Sequence, residues 1–140
     1  MLDLFAGSGS LGIESLSRGC NLAYFVDRSY RSISLVEYNI KGLKISGKKY
    51  KIIKSDVFKF LRFYRELKWD ILFIDPPYKI KSDIMIEIFG AISEKKITGS
   101  DTLIIYECFF KRVVEEEIKK LNLIKESRMG DKKVLYLSPY

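Results

Sequence analysis

Short apolar runs alternate along the chain with segments whose apolar residues recur every three or four positions, which sets out an order of strands and helices. The first run, residues 1–4, meets a glycine-rich turn, and residues 13–18 then read as a helix closed by Gly19. Residues 22–26 predict a second strand ending at Asp27. Ile33, Val36, Ile40 and Leu43 follow at helical spacing, with Asp27 or Ser29 as cap and Gly42 as breaker. A third strand, residues 50–54, is flanked by Lys48, Lys49, Lys51 and Lys54. Ser55-Asp56 then caps a helix over residues 57–67, with Val57, Phe58, Leu61 and Tyr64 inward and Lys59, Arg62 and Arg65 on a solvated face. Residues 70–74 are nearly all apolar, as a central strand covered on both faces requires. A helix over 82–93 carries Ile84, Ile88 and Ile92, and Thr98-Gly99-Ser100 reads as a turn before a fifth strand at 102–106. A helix over 111–120 follows, and strands at 123–128 and 133–137 pair across Met129-Gly130-Asp131 as an antiparallel hairpin.

Five β-α units and a hairpin make an α/β fold. Right-handed crossovers give a mostly parallel sheet of seven strands with helices on both faces. A dinucleotide-binding fold would continue with another β-α unit where this chain makes its hairpin. No repeat or linker interrupts the pattern, so residues 1–140 are expected to form one domain.

Composition narrows the chemistry. The chain is 47% apolar and 14% aromatic, which excludes a disordered segment. No apolar run reaches the roughly 18 residues of a membrane span, and residues 1–3 lack the features of a signal peptide, so a cytoplasmic location is expected. There is no histidine, which removes Ser-His and Cys-His machinery and argues against zinc; Cys20 and Cys108 have no metal-type spacing and read as buried, reduced thiols. A net charge of +7 favours a polyanionic partner, although a lysine- and isoleucine-rich composition from genomic base bias accounts for it as well.

Three strand ends carry the candidate chemistry. Gly7 and Gly9 allow a ligand to lie against the backbone, beside the free N–H groups of the helix that follows. Asp27 stands twenty positions after Gly7, where nucleotide-binding folds place the acid that holds a ribose. Asp75-Pro76-Pro77-Tyr78 directly follows the central strand. Its prolines fix φ and hold the Asp75 and Pro76 carbonyls outward, so that Asp75 and Pro76 accept both hydrogens of a planar amine while Tyr78 offers a stacking face.

Phe5-Ala6-Gly7-Ser8-Gly9 with Asp75-Pro76-Pro77-Tyr78 resembles the motif pair of S-adenosylmethionine-dependent amino-methyltransferases acting on nucleic-acid bases. The longer run 2–14, with Phe25-Val26-Asp27 and residues 70–74, closely resembles the RsmD family, which methylates guanine N2 in small-subunit (16S) ribosomal RNA. The resemblance implies a class I, Rossmann-like methyltransferase fold, S-adenosylmethionine as cofactor, no metal, and ribosomal RNA or the assembling small subunit as partner of a monomer. It places Asp3, Phe5, Ala6, Gly7 and Gly9 around the methionine part of the cofactor and Asp27 on the ribose. Asp56 and the Val57 N–H fall at the adenine edge, and Asp75, Pro76, Pro77 and Tyr78 at the target amine. Asp3 as a strand-start charge and Asp56 as a helix cap remain the plain alternatives. Lys79, Lys81, Lys111 and Arg112 follow strand ends and are candidates for RNA phosphates. Family members carry a further segment before the first strand, which is expected to be missing here. A DNA adenine or cytosine methyltransferase, and an inactive cofactor-binding RNA module, are the alternatives.

Overall fold

The computed structural model describes residues 1–64, 67–94 and 97–140. Strand β1 (Leu2–Asp3) leads to helix α1 (Ser10–Ser17), β2 (Ala23–Asp27) to α2 (Tyr30–Lys41), and β3 (Tyr50–Lys54) to α3 (Val57–Phe63). Then come β4 (Trp69–Ile74), α4 (Ser82–Glu94), β5 (Thr98–Phe109), the single turn α5 (Glu115–Ile118), and the hairpin strands β6 (Leu121–Met129) and β7 (Lys132–Pro139). The seven strands lie in the order β3-β2-β1-β4-β5-β7-β6, parallel through β5 and antiparallel at β5-β7 and β7-β6. This is the α/β sheet that the apolar pattern predicts, closing hairpin included.

The pleat divides the core in two. Leu2, Leu4, Tyr24, Val26, Leu72, Ile74, Ile104 and Tyr106 face α3, α4 and α5, whereas Ala23 and Phe25 face α1 and α2 and pack with Leu16, Val36 and Ile40. Short as it is, β1 lies between two partners, and Leu4 N–H to the Phe73 carbonyl and Ala6 N–H to the Val26 carbonyl, both 3.0 Å, extend its pairing. Asp3, between Leu2 and Leu4 in the pleat, is thereby buried with the rest of the strand.

Several boundaries differ from the sequence expectation. Helix α3 ends at Phe63, with Tyr64 extended; Phe60 is buried and Phe58 only half-buried, and the expected outward Arg65 lies outside the described residues. Leu43 falls beyond the C-cap of α2 and is exposed, and in α4 the inward set is Met85, Ile88, Phe89 and Ile92, with Ile84 exposed. Thr98-Gly99-Ser100 is the start of β5 at a bulge: the Gly99 N–H donates to Thr102 Oγ1 and the Thr102 hydroxyl to the Trp69 carbonyl, both at 2.7 Å, so a side chain fills the break in the ladder. Residues 111–114 are not helical. Cys108 is buried, but Cys20 is half-buried near the surface, its thiol donating to the Leu22 carbonyl at 3.3 Å. Among the described residues no helix is long and apolar enough to cross a membrane, and no cluster of metal-ligating side chains occurs.

Candidate active site at the switch point of the sheet

Successive strands run outward from β1 in one direction to β3 and from β4 in the other, so the sheet reverses its order between β1 and β4, and the C-terminal ends of β1 to β4 share one edge. Ligands of open parallel sheets bind in that crevice. The structure brings the predicted residues of all four strand ends to it: Asp3 with Phe5, Ala6, Gly7 and Gly9 after β1, Asp27 at the end of β2, Asp56 after β3, and Asp75 to Tyr78 after β4.

The turn after β1 depends on its glycines. Gly7 (φ +55°) and Gly9 (φ +79°) are left-handed, and a Cβ on Gly7 would meet nothing nearer than the Phe5 carbonyl at 3.9 Å, so its outer side is open. A Cβ on Gly12, by contrast, would lie 2.2 Å from Phe25 Cε1. Gly7-Ser8-Gly9-Ser10-Leu11-Gly12 is thus a full G-x-G-x-x-G, and its third glycine lets α1 rest on β2. The spacing of all three glycines is present in the sequence, and the clash at Gly12 shows what the third is for.

Asp27 ties the turn to the second unit. One carboxylate oxygen accepts the Gly7 N–H at 3.0 Å and the other the Ser29 N–H at 2.8 Å, where Ser29 is the N-cap of α2. Asn39, which no sequence signal marks, donates from Nδ2 to the Ser8 carbonyl at 2.9 Å and holds the turn from α2. Asp56 caps α3, accepting the Lys59 N–H at 3.0 Å, while Val57 begins the helix, where first-turn N–H groups lack intrahelical partners.

Asp3 is 1% exposed, and its Oδ1 has no hydrogen-bond partner. Burial pushes its carboxyl up to about 7 from 3.8; the Phe5 backbone amide opposes the rise, and the charges of Asp75 and Asp27 add to it. The unmet Oδ1 of a buried carboxyl that also feels two further carboxylates favours a proton or a positively charged group beside it.

Past β4, Pro76 is buried, while Asp75, Pro77 and Tyr78 face outward and the Ile80 N–H closes a turn on the Pro77 carbonyl at 2.9 Å. Tyr78 is 60% exposed, with the Lys132 ammonium near its ring. The Asp75 carboxyl is raised from its ordinary value by burial and then by Glu107, with Lys132 opposing. Ile74 pairs with Tyr106, which places Glu107 level with Asp75 on the next strand, and Lys132 bridges the group: it ion-pairs with Glu107 and its Nζ lies 5.5 Å from the centre of the Tyr78 ring. Glu107 and Lys132 were missed. Glu107 was findable by the strand-end logic that found Asp75, whereas Lys132 depends on the register of the hairpin.

Of the four cations expected to reach RNA, Lys79, Lys81 and Lys111 are exposed. Arg112 is not available: its guanidinium pairs with buried Glu117 (Nε to Oε1 3.0 Å) and donates to the Ile80 carbonyl at 2.8 Å. Glu117 also accepts the Tyr106 hydroxyl at 2.8 Å and the Ser82 hydroxyl at 2.6 Å, so Arg112 belongs to a buried network that anchors the segment after Tyr78.

The chain is 38% identical over 108 residues to YlbH of Bacillus subtilis, a candidate rRNA methyltransferase; the match covers 76% of this chain and 57% of that protein. It is 39% identical over 77 residues to the ribosomal RNA small subunit methyltransferase D of Buchnera aphidicola (55% of this chain, 39% of that one). A third relative, the ribosomal RNA large subunit methyltransferase I of Shigella dysenteriae, is 33% identical over 89 residues (61% and 22%). The chain therefore spans between about a fifth and just over half the length of these relatives. Among solved structures, a conserved hypothetical protein of Streptococcus pyogenes superposes with a TM-score of 0.85 at 28% identity, covering 99% of this chain and 84% of that one. SMU.776, a candidate methyltransferase solved with SAH, superposes with a TM-score of 0.78 at 17% identity, covering 98% and 44%, and shows the fold. The model of the family described as conserved hypothetical protein 95 matches residues 1–138, and the chain belongs to that family, which is the RsmD family its motifs resemble.

Proposed function

We propose that the chain is an rRNA methyltransferase that uses S-adenosylmethionine, and that its target is an exocyclic amine, guanine N2 of small-subunit rRNA. The observation that carries the reading is the convergence, on one sheet edge, of a buried carboxyl with one unmet oxygen, an open glycine turn, a strand-end aspartate and Asp75-Pro76-Pro77-Tyr78. The names of the small- and large-subunit rRNA methyltransferases among the relatives support an RNA substrate, and the SAH-bound neighbour of like fold supports the cofactor.

The residues fit that cofactor. Asp3 Oδ1 offers an unmet acceptor to the ammonium of the methionine part, and Phe5, Ala6, Gly7 and Gly9 line it with backbone. Asp27 takes the ribose hydroxyls; the free oxygen of Asp56 and the Val57 N–H meet the adenine edge. When bound, S-adenosylmethionine supplies an electrophilic methyl on a positively charged sulfur. The protein's part is placement. Tyr78 stacks on the base, Asp75 and the Pro76 carbonyl accept the two amine hydrogens, and the amine lone pair is aimed at the methyl. As the nitrogen gains positive charge, Asp75 stabilises it, an interaction stronger in the transition state than in the ground state. The amine would form its N–C bond as the methyl–sulfur bond breaks to leave a neutral thioether, and its surplus proton would then pass to water. Lys132 holds Glu107 and Tyr78 in place beside it.

Asp75→Ala tests this. Transfer of radiolabelled methyl to 16S rRNA should fall about 100-fold or more with S-adenosylmethionine affinity nearly intact. Asp75→Asn, which keeps a carbonyl oxygen, should retain more activity than the alanine variant. Unchanged turnover in Asp75→Ala, or methylation of DNA in preference to rRNA by the parent, would overturn the assignment.

A further inference from the structure

The tip of the β6-β7 hairpin gathers two cations, Arg128 and Lys111, on one aromatic ring. Phe110, just after β5, is fixed there by its N–H to the Asp131 carbonyl at 2.9 Å. The Arg128 guanidinium lies over its ring, 4.1 Å from the centre, and Lys111 Nζ lies 5.6 Å from the same point. Arg128 Nε–H also donates to the carbonyl of Gly130 at 3.1 Å, so ring and turn together hold the guanidinium plane although the residue is exposed. Neither Arg128 nor Lys111 has a carboxylate within ion-pair distance among the described residues, so what sets this pair apart is that both lie on one ring. Two cations on one ring repel each other, and a stable fold alone is better served by a glutamate beside them. An anion brought to the tip removes the repulsion.

The surroundings say which kind of anion. Phe109 touches Phe110 (ring centres 5.1 Å apart) and is 39% exposed, with Val113 at 75% and Met129 at 66%. Flat apolar surface interleaved with fixed cations suits unpaired nucleotides, whose bases stack on aromatic rings and on arginine planes while phosphates meet the charges. The same tip reaches the proposed methyl-transfer site, because Lys132 pairs in register with Phe109 on one side and Met129 on the other and lies over Tyr78. The pleat puts Lys132 on the face of Asp75 and Arg128 on the other, so a strand touching both passes over the tip itself.

We propose that the stacked Arg128 and Phe110, with Lys111 beside them, grip unpaired RNA next to the target base. This rests on the rRNA reading above and adds to it a contact surface away from the reacting atoms. Fluorescence anisotropy of a labelled unstructured RNA oligonucleotide tests it, with the parent, Arg128→Ala, Arg128→Lys and, as a charge-matched control at the far edge of the sheet, Lys48→Ala. Arg128→Ala should bind about 5- to 30-fold more weakly, Arg128→Lys should recover only part of the loss because it lacks the plane, and the control should change far less. Equal losses for Arg128→Ala and Lys48→Ala, or full recovery by Arg128→Lys, would overturn the platform. Calorimetry with S-adenosylmethionine and rRNA methylation run alongside. A parent that methylates rRNA with a KM unchanged by Arg128→Ala refutes the platform and leaves the function standing. A parent that binds cofactor and methylates no RNA, with the anisotropy ranking intact, refutes the function and supports the RNA grip.

Discussion

Gly12→Ala is the sharpest test of how the sheet edge is assembled. The added Cβ would stand 2.2 Å from Phe25 Cε1, 2.6 Å from Cζ and 3.0 Å from Cδ1, where carbon atoms in contact normally keep about 3.5–4.0 Å. The ring has nowhere to go: Phe25 is fully buried with Val36, and Val36 also limits the space at Gly9, where a Cβ would meet its methyls at 3.1 Å. Helix α1 must therefore lift from β2. Alanine in a helix gains about 1 kcal/mol over glycine, while overpacking a core costs about 1–3 kcal/mol and sometimes more. With an overlap this deep the second effect wins at the upper end of its range, and we expect a net loss of about 1–2 kcal/mol, or a Tm lower by roughly 3–8 °C, in thermal unfolding followed by circular dichroism. Because α1 starts directly after Gly9, the lift also opens the turn, and affinity for S-adenosylmethionine should fall with stability. Gly12→Ala combined with Phe25→Leu should be less destabilised than the sum of the single changes, since the smaller side chain vacates the clash. A Gly12→Ala protein as stable as the parent, or more so, would refute the close-approach argument.

Asp27→Ala should weaken S-adenosylmethionine binding by about 1–3 kcal/mol in calorimetry and also lower stability, because the Gly7 and Ser29 N–H groups lose their acceptor. Asp3, with a folded pKa of about 7 against 3.8, binds its proton more tightly in the folded state. Its contribution to stability is full below about pH 4 and is lost as pH rises to about 7, so Asp3→Asn should flatten urea-denaturation stability across that window and exceed the parent at pH 8. Glu117→Ala strands the Arg112 guanidinium and the Tyr106 and Ser82 hydroxyls, and should cost about 3–5 kcal/mol in urea denaturation, with Glu117→Gln costing less.

The order of strands and helices was legible because each is a local pattern: a buried strand needs an apolar run, and a helix needs its apolar face at intervals of three and four. Where tertiary contacts chose between local options, the pattern failed. Residues 98–100 look like a turn in sequence, yet the Thr102 hydroxyl, bonded to the Trp69 carbonyl, repairs the ladder and makes them strand. Residues 111–114 carry no signal against helix, and it is the Arg112 bonds to Glu117 and the Ile80 carbonyl that hold them otherwise. Asp75 was readable from its place at a strand end. Glu107 and Lys132 come beside it only through pairings across β4-β5 and β5-β7, which sequence spacing does not encode.

The choice between cap and ligand that the sequence left open for Asp56 is less exclusive than it looked, and Asp27 follows the same rule. A carboxylate offers about four lone-pair sites, and Asp27 commits one on each oxygen to a backbone N–H, while Asp56 commits one to Lys59. The remaining sites are oriented by the bonds already made. Under the proposed function the same groups that fix the turn and start the helices are then the ones that meet the cofactor, so the edge is set before anything binds and little ordering cost falls on binding. Asp3 stands apart from this arrangement: its Oδ1 has no partner among the described residues and burial raises its pKa, a cost that, under the proposed function, the ammonium of the cofactor would offset when it binds.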